Sequence, residues 1–233
     1  MAMILRTALI TCFCIAMTTV FSQGKTENQD IIYGYDPLLY NGRVYAFFPK
    51  PGTAGTPFIF PDFDTKSSVT LRGVTYTHLN LNYDLYNQQL ILKYKTLSGS
   101  PALIELSLAW LESFEIKGLH FEIVTSFDTT KRIFQVLGAG PCQIRYSLFK
   151  ALLPDSRTSS RNYIFTDTEK ERFIFSGDKM TRYKNNRSFV AAFSPANQEA
   201  IRKFMRKNKI KVKRANDYKM TELINFCNSL AGS

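Results

Sequence analysis

The chain has 233 residues, 45% of them hydrophobic and 14% aromatic, with 30 Lys/Arg against 19 Asp/Glu and a formal net charge of +11. A chain of this length buries roughly 70% of its unfolded surface in an ordinary core, so no disulfide framework is required. Beyond the N-terminus no apolar stretch reaches the roughly 18 residues that a membrane-spanning helix needs, so a second span is excluded.

The N-terminus reads as a secretory signal peptide over residues 1–22. Arg6 is its one charge, and the apolar run Thr7 to Val20 fits an h-region of about 7–15 residues. Val20-Phe21-Ser22 supplies a cleavage site, and Leu9-Ile10-Thr11 before Cys12 is a poor lipidation signal. The mature chain is then exported and not transmembrane. Residues 23–36 are mostly polar and read as a tether with a first contact, ahead of a single β-rich domain over 37–231.

Tyr40-Asn41-Gly42-Arg43 carries the Asn-Gly pair of a tight hairpin. Phe58 to Pro61 reads as a short apolar edge, because proline cannot donate to a central ladder. Over 68–95 a three-stranded antiparallel meander is expected, turning at Arg72-Gly73 and Asn87-Gln88. Leu79, Leu81, Tyr83 and Leu85 share its buried face, and Asn80, Asn82, Asp84 and Tyr86 the other. Residues 101–126 fit either strands or a short helix before a strand beginning near Phe121. A hairpin follows over 131–149, turning at Gly138-Ala139-Gly140-Pro141, then a polar loop over 154–162 and strands at 163–165, 172–175 and 180–183.

The last 40 residues change to a helical period. Ser194-Pro195 opens one helix. Met220, Leu223, Ile224, Cys227 and Leu230 form the apolar face of a second, completing a helical pair over 195–230. The expected fold is α+β, an antiparallel sheet of about ten strands with two C-terminal helices packed beside it. Cys142 and Cys227 are the only cysteines past the signal peptide, and fit either one bridge or two buried thiols.

Catalytic signals are sparse. His78 and His120 have no neighbouring ligands that complete a zinc set, so no metal is expected. Glu112 and Glu115 would share a face if 108–116 were helical, and Asp62 and Asp64 would share a strand face. Gly99-Ser100-Pro101 reads as a turn, not a nucleophile elbow. No phosphate-binding glycine loop and no cofactor motif is found. A hydrolase acting on glycan or peptidoglycan would need a cleft carboxylate such as Asp84 or Glu115, joined to His78 or His120.

Charge is the sharper feature. Residues 23–130 carry 8 Lys/Arg against 11 Asp/Glu, and residues 131–233 carry 21 against 8. The stretch Arg202 to Lys219 holds nine Lys/Arg and one Asp. Within it Lys207, Lys209, Lys211, Lys213 and Arg214 form a candidate anion-binding segment. Its partners would be an anionic envelope polymer, a lipid head group or an envelope protein, with nucleic acid excluded by the compartment. The same charges also fit a solvated face that keeps the protein soluble, or one that guards a strand edge.

Tyr40-Asn41-Gly42, Gly73-Val74-Thr75-Tyr76 leading to Leu81-Asn82-Tyr83-Asp84-Leu85, Phe114 with Gly118 and Phe121, Lys209-Ile210-Lys211, and the ending Asn225-Phe226-Cys227-Asn228-Ser229-Leu230 together resemble uncharacterised exported proteins of Bacteroidota. Where that resemblance leads one to expect an aromatic in the last helix, this chain has Cys227. The resemblance implies a Gram-negative envelope location, periplasmic or outer-membrane-associated, and no particular activity. The function expected from the sequence is a non-enzymatic binding or assembly module of the cell envelope.

Overall fold

The computed structural model describes residues 25–26, 35–125, 130–156, 162–177 and 179–231. The signal peptide expected over 1–22 lies outside the described residues. The strands are β1 (Lys25–Thr26), β2 (Arg43–Val44), β3 (Asp64–Leu71), β4 (Val74–Asp84), β5 (Gln89–Lys95), β6 (Pro101–Glu105), β7 (Leu111–Ile116), β8 (Leu119–Thr125), β9 (Lys131–Leu137), β10 (Cys142–Phe149), β11 (Leu152–Pro154), β12 (Tyr163–Phe165), β13 (Glu169–Ser176) and β14 (Lys179–Arg182). Three helices follow, here α1 (Asn186–Val190), α2 (Pro195–Lys207) and α3 (Asp217–Ala231). The α+β architecture expected from the sequence is the one observed.

Eleven strands form one sheet in the order β14-β13-β10-β9-β8-β7-β3-β4-β5-β6-β2, and β1 adds a short parallel pairing to β4 as its twelfth member. Among the described residues every other pairing in this sheet is antiparallel. The strands β11 and β12 make a separate two-stranded ribbon, in which β12 is the strand expected at 163–165 and β11 is an unexpected partner leading into the polar loop. The expected meander over 68–95 is β3-β4-β5. Its first turn places Arg72 and Gly73 at φ 47° and 77°, the left-handed pair that a two-residue hairpin demands.

Three local expectations are corrected. Asn41-Gly42 does not turn a hairpin, because β2 pairs with β6, 60 residues on. Gly42 is required there for another reason: a Cβ would collide with the carbonyl oxygen of Glu105. In β4 the alternation breaks at His78 (φ 59°), an extra residue between the Ser67–Leu79 and Val69–Tyr76 pairs. That bulge reverses the phase, so Tyr76 joins Leu79 and Leu81 in the core instead of sharing a face with His78 and Asn80. Finally, of the two alternatives for 101–126, the described residues 101–125 take the strand one. Glu112 is bulged out between the Thr70–Ser113 and Leu71–Leu111 pairs, so the helical Glu112–Glu115 pair does not exist.

The core is continuous across the sheet and under the helices. Met220, Leu223, Ile224 and Cys227 of α3 are all buried, and α3 lies against β9 and β10. The hairpin turn at Gly138 (φ 83°) is pressed so closely to Ile224 that a side chain there would clash with it. Next to it, Asn228 clamps the strand start. Its Oδ1 accepts from the Cys142 N–H at 2.9 Å, and its Nδ2 donates to the Cys142 carbonyl at 2.9 Å. Cys142 and Cys227 are free, buried thiols, and burial, with a smaller contribution from Cys142, pushes Cys227 up to about 12. Among the described residues no helix is long and apolar enough to cross a membrane.

Candidate anion-binding groove

Of the carboxylates and histidines considered for catalysis, Glu115 and His120 become cross-strand neighbours on exposed surface, while Asp84 is buried elsewhere. Asp84 is 0% exposed. Its Oδ2 accepts from the Tyr45 hydroxyl at 2.6 Å and from Asn87 Nδ2 at 2.8 Å, while Oδ1 accepts the Tyr86 and Asn87 N–H groups at 2.9 and 2.8 Å. It is the organising side chain of the β4–β5 turn. The face of β4 that holds Asn82 and Asp84, expected to be the exposed one, is covered by the segment from Tyr45 to Phe63, and Asn82 Nδ2 donates to the Phe60 carbonyl at 2.9 Å. Burial, and then the hydrogen bond to Asp84, hold the Tyr45 hydroxyl well above the usual phenol range.

Glu115, His78 and His120 lie on exposed surface, Glu115 opposite His120 in the β7–β8 pair. His120 Nε2 sits 3.5 Å from Glu122. Asp62 precedes β3 and does not share a strand face with Asp64. Asp64 is held below the usual carboxylate range. Burial acts to raise it, and hydrogen bonds from the Lys117 N–H, the Ser67 hydroxyl and the Lys66 N–H outweigh that effect. Ser100 sits in the β5–β6 turn, where its carbonyl accepts the Thr96 N–H at 2.8 Å. Among the described residues no group of three or more His, Cys, Asp or Glu side chains is placed to hold a metal ion.

Concavity and positive charge coincide at the C-terminal helices. The helix α1 opens with Asn185 and Ser188 in a reciprocal cap. The Ser188 N–H donates to Asn185 Oδ1 at 2.9 Å, and the Asn185 N–H donates to Ser188 Oγ at 3.0 Å. Phe189 and Val190 turn into the core, and Arg187 stays on the solvent side. In α2, Ile201 and Met205 are buried and Phe204 stacks on Phe226 of α3 with centroids 4.1 Å apart. The opposite face carries Glu199, Arg202 and Arg206.

The segment after α2 explains the alternation of Lys with apolar residues. It is a turn, not a strand edge. Ile210 and Val212 are 2% and 1% exposed, and Lys209, Lys211 and Lys213 point outward. Asn186 of α1 pins this turn like a strand partner, its Oδ1 accepting the Val212 N–H at 3.0 Å and its Nδ2 donating to the Ile210 carbonyl at 3.4 Å. Lys209 takes the left-handed conformation (φ 51°) that ends the helix, with the Ile210 N–H returning to the Met205 carbonyl at 2.9 Å. Glycine fits that position best, and here a lysine holds it.

The result is a groove of about 600 Å³ lined by Arg187, Arg202, Arg206, Lys209 and Lys211, with Val190, Met205 and Ile210 beneath them. A second hollow of about 270 Å³ shares Lys209 and Lys211 and adds Arg214 and Lys219. One carboxylate, Glu199, faces this array. Its Oε1 is 3.2 Å from Arg206 and its Oε2 3.7 Å from Arg202. Of the five residues singled out in the sequence, Lys209, Lys211 and Arg214 line the two hollows, and Lys207 and Lys213 do not. Arg187, Arg202, Arg206 and Lys219 were outside that set. The signal for Arg187 was Asn185-Asn186-Arg187-Ser188 before Phe189-Val190, a capping pattern ahead of an apolar pair.

Packed cations of one sign in a concave site raise the local concentration of anions, and the guanidinium forks offer paired donors to phosphate or carboxylate. The structure therefore defines an α+β protein with a wide antiparallel sheet and a cationic groove built by its C-terminal helices. No family model, curated protein or solved structure matches the chain.

Proposed function

We propose that this is an exported cell-envelope protein, periplasmic or outer-membrane-associated, that works without catalysis as a binding or assembly module, its groove taking an anionic envelope polymer or lipid head group. The observation that carries the reading is the convergence of Arg187, Arg202, Arg206, Lys209 and Lys211, from three separate segments, on one concave surface. A face that serves solubility alone needs scattered charge, not convergence. The export half rests on Arg6, the apolar run to Val20 and Ser22, and on the resemblance to exported Bacteroidota proteins. Mass spectrometry of the native protein is expected to find Gln23, free or cyclised, at the N-terminus. A native protein that begins at Met1 would remove the export half.

The groove is tested by co-sedimentation with vesicles of phosphatidylglycerol and phosphatidylcholine. Wild type is expected to bind at low salt and to release as salt rises, because exposed charges are screened over about 8 Å at physiological ionic strength. Each lysine near an anionic surface contributes on the order of 1 kcal/mol, so Lys209→Gln with Lys211→Gln should weaken binding about tenfold or more. Lys207→Gln with Lys213→Gln removes the same charge outside the groove and should weaken it severalfold less. Equal losses from the two pairs would reduce the groove to diffuse charge, and no binding by wild type at low salt would end the reading.

A further inference from the structure

The groove already holds one anion of its own. Glu199 sits on α2 one turn before Arg202 and two before Arg206 and contacts both, and Arg202 also donates to Gln198 Oε1 at 3.0 Å. All three members of the pair network are exposed, at 58% for Glu199, 50% for Arg202 and 71% for Arg206. Exposed pairs of this kind are weak. The contact is therefore cheap to break, and the two guanidinium groups it occupies are the ones an incoming anion would use.

We propose that Glu199 is an internal competitor for the groove and that the ligand group which displaces it is a phosphomonoester. This deepens the anion-binding reading and rests on it. A single carboxylate arriving from solution would exchange with Glu199 like for like. It would make the contacts that Glu199 already makes and would also lose its translational freedom. A phosphomonoester carries about −1.5 to −2 charges at neutral pH and three acceptor oxygens. It can take both arginine forks from Glu199 and still engage Lys209 and Lys211, which make no ion pair among the described residues. The device sets a preference: groups with one charge and two oxygens bind more weakly, and groups with more of both bind more tightly.

The test uses the whole mature chain and isothermal titration calorimetry at low salt. The soluble probes are myo-inositol hexakisphosphate and benzene hexacarboxylate, six phosphomonoesters or six carboxylates on one ring. Phosphatidic acid vesicles, compared with oleate vesicles, distinguish a lipid source from a free one. Wild type should bind the phosphate probe at least about fivefold more tightly than the carboxylate. Glu199→Gln should tighten binding of both by up to about fivefold, the size of an exposed ion pair. Glu222→Gln removes the same charge from the exposed side of α3 and should change neither by more than about 1.5-fold. Glu199→Gln should also steepen the salt dependence, because the freed arginines then hold solution anions that the ligand must release. Equal effects of the two glutamine variants, or a weaker Glu199→Gln complex, would overturn the competitor role while leaving the groove in place. Equal affinity of wild type for the two rings overturns the phosphomonoester class. Failure of both wild type and Glu199→Gln to bind any probe removes the anion site itself.

Discussion

Asp84→Ala should destabilise the protein by about 3–5 kcal/mol in urea unfolding. The substitution orphans the Tyr45 hydroxyl, the Tyr86 and Asn87 N–H groups and the Asn87 side-chain amide, all four of which now end on one carboxylate that is 0% exposed. Each buried donor left without an acceptor costs about 1–3 kcal/mol, and neighbouring losses do not add fully. Asp84→Asn should fall between wild type and alanine, because an amide NH2 would face the hydroxyl or amide donors on the Oδ2 side. The result bears on function as much as on stability. A carboxylate kept for catalysis is commonly a destabilising feature, and removing it tends to leave stability unchanged or raise it. An Asp84→Ala protein as stable as wild type would return Asp84 to the list of candidate catalytic groups.

Leu223→Ala should cost about 2–5 kcal/mol, the range for truncating a fully buried leucine. Leu223 is 0% exposed on the face of α3 that meets the sheet, between Met220 and Ile224. Glu222→Ala, one residue away on the exposed side, should stay within about 0.5 kcal/mol. The contrast matters for the groove. The α3 helix also supplies Phe226, on which Phe204 of α2 stacks, so loosening α3 loosens the helix that carries Arg202 and Arg206. Anion affinity should fall with stability in Leu223→Ala and remain unchanged in Glu222→Ala. Small and equal effects at both positions would mean that the helix does not dock as described.

What was legible in the sequence follows physical lines. Turns written in local chemistry, such as Arg72-Gly73 and Gly138-Ala139-Gly140-Pro141, were readable because a backbone demand fixes the residue type within two or three positions. The face of α3 was readable because burial repeats at the helical period. The phase reversal at His78 was not, since histidine, though enriched among left-handed residues, takes that backbone too seldom to announce it. Nor was the burial of Asn82 and Asp84, which depends on a chain segment about 20 to 40 residues earlier folding back across them. The basic segment was found through charge, but its alternation resembled a strand edge. The cause is a turn whose two apolar residues plug the core while one asparagine from α1 satisfies the backbone between them. Arg187 was missed for the same reason: α1 is five residues long, too short for a periodic signal.

The strand order has a consequence for how the chain can assemble. β4 adds beside β3, β5 beside β4 and β6 beside β5, where β2 is already available to pair. β7 then takes the open flank of β3, and β8, β9, β10, β13 and β14 extend the sheet outward from there. Every strand of this sheet from β4 onward therefore meets a vacant neighbour when it emerges, and none has to wedge between two that are already joined. Chains that fold progressively from the N-terminus gain from such an order, because no finished ladder must be reopened. The helices come last and α3 closes over β9 and β10, so the cationic groove forms only after those strands are in place.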